Sequence, residues 1–250
     1  MGVRIREQGD LEMKVIGLIG GMSWESTAEY YRIINRTVKE RLGGYHSGKI
    51  LLYSVNFSEI EQLQRGGRWD KATEFMCDAA RRVELGGADC LLICTNTMHK
   101  MAAEVQQAVK IPLLHIADAT AMVIKKKGIR RVALLGTKYT MEEEFYKGRL
   151  KAKHGLDVLI PSEEERSSIN KTIYDELCLG QVEGESKNRF VLIIKRLKER
   201  GGEGVILGCT EISLLIKQKD SPLELFDTTA IHAQAAVDFA LEGQKKGVEK

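Results

Sequence analysis

Short apolar runs alternate with longer stretches of helical period throughout this chain. The runs "KVIGLIGG", "KILLYSVNF", "DCLLIC" and "IPLLHI" read as strands, and "RRVALLGT", "DVLIP", "GVILGCTE" and "PLELFDTT" repeat the theme further on. Between them, "STAEYYRIINRTVKERLG", "WDKATEFMCDAARRVELGG", "TMHKMAAEVQQAVK", "YTMEEEFYKGRLKAKHG", "INKTIYDELCLGQV" and "SKNRFVLIIKRLKERGG" carry the spacing of amphipathic helices. After Thr97, for example, Met98, Ala102, Val105 and Val109 recur at helical intervals. Strands alternating with helices predict an α/β fold in which parallel sheets are covered by helices.

The pattern is also written twice. "RRVALLGT" repeats "KVIGLIGG", "GVILGCTE" repeats "DCLLICTN", and "PLELFDTT" repeats "IPLLHIADAT". A unit near a hundred residues is longer than a solenoid repeat. It predicts two pseudo-symmetric domains, each a parallel sheet flanked by helices, with a cleft between them. The expected boundaries are residues 1–118 plus 229–250 for the first half, with the helix "TAIHAQAAVDFALEG" packing back on it, and 119–228 for the second.

The register of the echo decides which residues correspond. Asp89 to Thr95 is six positions, and so is Glu203 to Cys209. Counted from the acidic residue, Thr95 is the partner of Cys209, and Asn96 and Thr97 match Thr210 and Glu211 as cap residues. Counted from the first glycine of each pair, Gly86 and Gly201, Cys94 would be the partner instead. The first register is preferred. Neighbours on a strand point to opposite faces, which disfavours Cys94 as a group that swings into the cleft.

Thr95 and Cys209 thus fall at the carboxyl ends of strands, where open α/β sheets bind ligands. Each is expected at a helix start, whose free N–H groups and positive end suit a carboxylate and lower a cysteine pKa. Asn96, Thr97 and Thr210 are the expected anion donors. Two proton carriers on opposite faces of one carbon describe a stereochemical inversion by general acid–base catalysis.

Composition narrows the field. The 250 residues include 38 basic and 35 acidic side chains, a net charge of +3 with the signs intermixed, which gives no reason to expect a nucleic-acid or membrane partner. Five cysteines in a chain of this size, and a polar first dozen residues expected to form a loose extension rather than a signal peptide, predict a cytoplasmic protein with reduced thiols. No apolar run approaches membrane length. "GLIGG" is not a dinucleotide fingerprint, and the next strand ends at Asn56 rather than at an acid. Cys90, Cys94 and His99 have a spacing that could suggest zinc, but two cysteines on one face of an apolar strand are core residues by preference. Cys77 and Cys178 read as fillers in helical patterns. His115 and His232 echo one another across the repeat, either orienting cleft residues or satisfying buried polar groups.

The stretches "GLIGGMSWESTAEYY", "CTNTMHK", "IPLLHIADAT", "VALLGTKYTMEEEFYKGRL", "INKTIYDELCLGQ" and "GCTEISLL" together resemble the aspartate/glutamate racemase family, which works without pyridoxal phosphate. The resemblance covers residue 14 to about residue 240. It implies no cofactor, a small-molecule substrate in the interdomain cleft and, in many members, a homodimer. Where most of the family has Cys-Asn-Thr in the first half, this chain has Thr95-Asn96-Thr97, with Gly208-Cys209-Thr210 intact in the second. That pairing is similar to a Thr/Cys subgroup acting on L-aspartate and L-glutamate. By this resemblance Cys209 is the base toward the L enantiomer and Thr95 the donor on the far face. Free enantiomers are equal in energy, so kcat/KM must be equal in both directions and any one-way behaviour is kinetic. Met22 and Ser23 are expected on the first domain's lip, Gln64 at a substrate contact and Thr137 on the second lip. Arg65, Arg68 and Lys171 are candidates for the side-chain carboxylate. The family's basic residue before the glycine that follows "IYDEL" is replaced here by Cys178 and Leu179. A related isomerase or decarboxylase of small dicarboxylates, or a dicarboxylate-binding protein without turnover, are the alternatives.

Overall fold

The computed structural model describes residues 13–243, so the loose extension expected at residues 1–12 lies outside the described residues. The first half runs β1 (Ile16–Gly20), α1 (Trp24–Leu42), β2 (Ile50–Ser54), α2 (Phe57–Arg65), α3 (Trp69–Leu85), β3 (Cys90–Ile93), a 3-10 turn (Thr97–Met101) and α4 (Ala102–Ala108), and α5 (Ile116–Lys126) connects it to the second. The second runs β4 (Arg131–Gly136), α6 (Lys138–Glu142), α7 (Glu144–His154), β5 (Asp157–Leu159), α8 (Glu163–Asp175), α9 (Gly184–Glu199), β6 (Gly204–Gly208), α10 (Ile212–Leu215) and β7 (Glu224–Asp227). The last helix, α11 (Thr228–Ala240), follows directly. The strands form two parallel sheets, ordered β2-β1-β3 and β5-β4-β6-β7. Two parallel sheets flanked by helices make the two-domain α/β fold that the alternation predicts. No helix among the described residues is long and apolar enough to cross a membrane.

Strand alternation sorts the first core into two layers. Ile16, Leu18, Cys90, Leu92 and Cys94 face α1 and α11, meeting Tyr30, Ile34, Ala233 and Val237. Ile19, Leu91 and Ile93 face α3, meeting Met76, Ala80 and Val83. Both faces are apolar because helices cover both, the usual condition of a parallel sheet. In the second half Val132, Leu134, Val205 and Leu207 pack with Tyr146, Phe190 and Ile194. The helix α11 lies on α1, tied by Tyr30 Oη to His232 Nδ1 at 2.9 Å and by Arg41 to Asp238 at 2.6 Å.

Several elements differ from the sequence reading. "IPLLHI" is not a strand: it makes one parallel bridge, Leu113 to Leu91. Its backbone donors are diverted. Glu84 Oε1 accepts from the N–H of Lys110 and Ile111, Gln106 Oε1 accepts from Leu113, and Pro112 has no N–H to give. Its counterpart in the second half does form β7. The helix read over 139–155 breaks at Glu143, which is extended with ψ 154°. The helix read from Ile169 begins earlier, because Ser162 and Glu165 form a capping box and "EEERSS" becomes its first turns. It also stops at Asp175, short of the expected Val182.

Candidate active site

Each half pins its central strand with the same device. The Asp89 carboxylate accepts the Val15 N–H at 2.5 Å, while the Asp89 N–H donates to the Val15 carbonyl at 2.8 Å. The Glu203 carboxylate accepts from Arg131 at 3.1 Å, and the Glu203 N–H donates to the Arg131 carbonyl at 2.9 Å. Strand pairing then runs Ile16 to Cys90 in one sheet and Val132 to Gly204 in the other. Carried forward, Gly20 corresponds to Gly136, Cys94 to Gly208, and Thr95 to Cys209. Cys94 is fully buried in the layer under α1 and α11. Burial pushes its thiol well above the usual range.

Thr95 and Cys209 line one small cavity between the halves, together with Met22, Gln64, Asn96, Thr97 and Thr137. Ser23 and Thr210 do not line it. Their hydroxyls turn instead onto the carboxylate of Glu211. The cavity also takes Phe57, Ile173, Tyr174, Cys178 and Glu211, which the sequence reading did not assign to it. Cys178 is therefore a wall residue rather than a filler, and burial, then the nearby Glu211 and Glu25, push its thiol up to about 12.

The helix-start expectation needs correction. Thr95 leads into a 3-10 turn and then a seven-residue helix, and Cys209 precedes a helix of four residues. Such short elements sum few peptide dipoles. Asn96 makes no side-chain cap bond, and neither does Glu211. The Cys209 thiol is pushed well above its ordinary value, opposite to the expected direction. Burial is the main cause, followed by the negative charge of Glu211 and then by Cys178. The resting group is a thiol.

Glu211 is where the two halves meet chemically. Its Oε1 accepts from Ser23 Oγ and Ser26 Oγ, both at 2.7 Å, and both residues stand at the start of α1. Its Oε2 accepts from Thr210 Oγ1 at 2.7 Å and from Cys209 Sγ at 2.9 Å. Ser26 Oγ and Thr210 Oγ1 also touch, so either hydroxyl can turn its proton to the other instead of to the carboxylate. The carboxylate thus lies within reach of the Cys209 proton.

On the other side, His99 holds the backbone of Thr95. The Ile116 N–H donates to His99 Nε2 at 3.2 Å, so the imidazole proton sits on Nδ1, which donates to the Thr95 carbonyl at 2.8 Å. Cys90 and Cys94 lie in the core layer and His99 packs against His115 and His232, so the zinc spacing is not realised. Among the described residues no group of three His, Cys, Asp or Glu is arranged to hold a metal. Asn96 is oriented by its neighbours: Nδ2 donates to Thr228 Oγ1 at 3.0 Å, whose own proton goes to the Leu207 carbonyl at 2.8 Å. That leaves Asn96 Oδ1 buried and without a partner among the described residues at the cavity wall, an acceptor rather than the anion donor expected. Thr97 Oγ1 reaches across the cleft to Thr137 Oγ1 at 3.0 Å.

Cations stand outside this cavity. Arg65, Lys138 and Lys171 line an adjoining outer pocket that shares Gln64 and Tyr174 with the inner one. Arg65 is paired with Glu61 at 2.6 Å. Arg68 lies exposed before α3 and lines neither pocket.

Comparison with known proteins agrees with this architecture. The family profile described as Asp/Glu/Hydantoin racemase matches residues 19–236. A crystal structure from Yersinia pestis, described as a candidate Asp/Glu racemase, is 53% identical, covers 92% of this chain and 100% of its own, and superposes with a TM-score of 0.87. An aspartate racemase homologue from Pyrococcus horikoshii is 39% identical over 92% of this chain and 100% of its own, with a TM-score of 0.80. The broad specificity amino-acid racemase RacX of Bacillus subtilis is 23% identical over 175 residues, which is 70% of this chain and 75% of that protein.

Proposed function

The chain belongs to the Asp/Glu/Hydantoin racemase family, and from that premise we propose that it interconverts L- and D-aspartate or glutamate, without a cofactor, by two-sided proton transfer at Cα. One observation carries the reading: Thr95 and Cys209, equivalent positions of a duplicated fold, line the same cavity. The domains divide at 118/119 and 228/229, and the reaction takes place between them.

In this mechanism Glu211 takes the Cys209 proton across the 2.9 Å contact. The thiolate so formed removes Cα–H from the L substrate, and Thr95 delivers its hydroxyl proton to the opposite face. Stabilising the carbanion requires donors around the α-carboxylate in a dry site. Thr97 and Thr137, whose hydroxyls face each other across the cleft, supply them. Asn96 Oδ1 accepts from the substrate ammonium, a role that suits a buried acceptor with no partner among the described residues. Met22 and Gln64 close the wall around the side chain.

Proton NMR of L-glutamate and L-aspartate in heavy water tests the reading. Loss of the Cα proton signal together with appearance of the D enantiomer is expected. Binding without exchange would instead identify a dicarboxylate-binding protein. A second reading rests on the absence of Arg and Lys from the residues lining the inner cavity: amino acids with uncharged side chains as substrates. It also accords with the likeness to a broad-specificity racemase. Leucine, methionine, maleate and a substituted malonate in parallel assays separate these possibilities.

A further inference from the structure

Glu211 forms a wall shared by two spaces. On one side is the substrate cavity, about 30 Å³, with room for a water or two. On the other is a groove of about 570 Å³ between α1, α10 and α11. Ser26 and Thr210, the hydroxyls that bridge the Glu211 carboxylate, line the groove and not the cavity. Thr229 also lines it, and its buried Oγ1 has no partner among the described residues.

We propose that this groove is a proton port: Glu211, through Ser26 and Thr210, exchanges the proton collected by Cys209 with solvent on the side away from the substrate. The idea rests on the racemase reading and adds the step that reading leaves open. Each conversion of L to D puts one proton on the Cys209–Glu211 pair and removes one from Thr95. The S–H bond of Cys209 breaks as O–H forms on Glu211. The thiolate then takes Cα–H, so S–H re-forms while Glu211 still holds its proton. That proton leaves through the two hydroxyls to water in the groove, and Thr95 regains one from water when the cleft opens. One proton goes out, one comes in, and no electrons change hands. Because Ser26 and Thr210 line the groove and not the cavity, this exit does not depend on whether the cleft is open.

The test is an Ala230→Phe variant, which places a ring in the groove from α11. Resetting follows product release, so it enters kcat but not kcat/KM. The variant is expected to lower kcat about tenfold and KM by the same factor, with kcat/KM unchanged. Ser26→Ala, which removes one of the two relay hydroxyls, is expected to lower kcat more than kcat/KM. If both variants leave kcat unchanged, the proton leaves through the cleft and the port is wrong. If kcat/KM falls in Ala230→Phe while KM stays constant, the groove matters only structurally and the port is again wrong. Cys209→Ala separates the two ideas. Full Cα exchange in that variant overturns the racemase mechanism itself, whereas lost exchange with an unaffected Ala230→Phe overturns the port alone.

Discussion

With four donors on its carboxylate, Glu211 can take a proton only by loosening contacts that also hold the cleft together. Glu211→Gln keeps the size but puts an amide donor where one oxygen accepted, so the groups on that side must turn round and the proton acceptor is lost. It is expected to lower kcat by roughly 10²–10⁴, the range for losing a positioned base, with little change in melting temperature. Thr95→Ala should separate the two half-reactions: L-glutamate still exchanges its Cα proton with heavy water through Cys209, but no D-glutamate forms. Cys94→Ala should cost about 1 kcal/mol of stability, an ordinary point-mutant value, and leave exchange intact. If Cys94→Ala abolished exchange and Thr95→Ala did not, the register would be wrong. Thr95 and Cys209 were legible because the strand echo marks both. Glu211 was not, because an acid after threonine also reads as a helix cap. Its partners Ser23 and Ser26 lie 188 and 185 positions away, where no local pattern can point to them.

At the scale of elements, three histidines join the 3-10 turn, the start of α5 and α11. His99 packs on His115 with ring centroids 4.5 Å apart and on His232 at 5.8 Å. Burial keeps all three neutral, holding His115 down to about 3 and His232 to about 4. Unfolded histidine titrates near 6.5, so the unfolded chain binds more protons below that pH. The stabilisation is complete above about pH 6.5 and is lost as pH falls toward 4 and then 3, at about 1.4 kcal/mol per histidine per unit. Urea midpoints at pH 7.5 and 5.5 should differ clearly; equal midpoints would contradict this account. His115 and His232 both satisfy backbone groups, the Ala117 N–H and the Leu114 carbonyl. The strands were readable as apolar runs flanked by turns. "IPLLHI" misled because its pairing is decided by Glu84 and Gln106, side chains on other elements.

The whole molecule is closed across its cleft. Besides the Glu211 contacts, Trp69 meets Tyr139 edge-on at 5.0 Å, and Lys100 pairs with Glu143 at 2.6 Å. A cavity of about 30 Å³ has no room for an amino acid, so the halves must part to admit one. In a Trp24→Phe background, which leaves Trp69 as the sole tryptophan, L-aspartate should give a saturable change in fluorescence; a flat titration would argue against movement at this contact. Asp118 stays fixed on the outside. Burial works against its charge, but hydrogen bonds from Arg149, Lys153 and His154 outweigh that and hold the carboxyl well below the usual carboxylate range. The duplicated architecture was legible from composition-independent repetition, but closure was not, since it depends on pairs drawn from opposite halves.

The twin carboxylate staples at Asp89 and Glu203 have a bearing on recombination. Because each sheet secures its own middle strand, a hybrid gene joining the front of this protein to the rear of a relative would keep both sheets intact, while α11 in the first lobe's core would come from the relative. What such a splice must match is the packing of α11 on α1 and the contacts across the seam, among them Ser23 and Ser26 on Glu211.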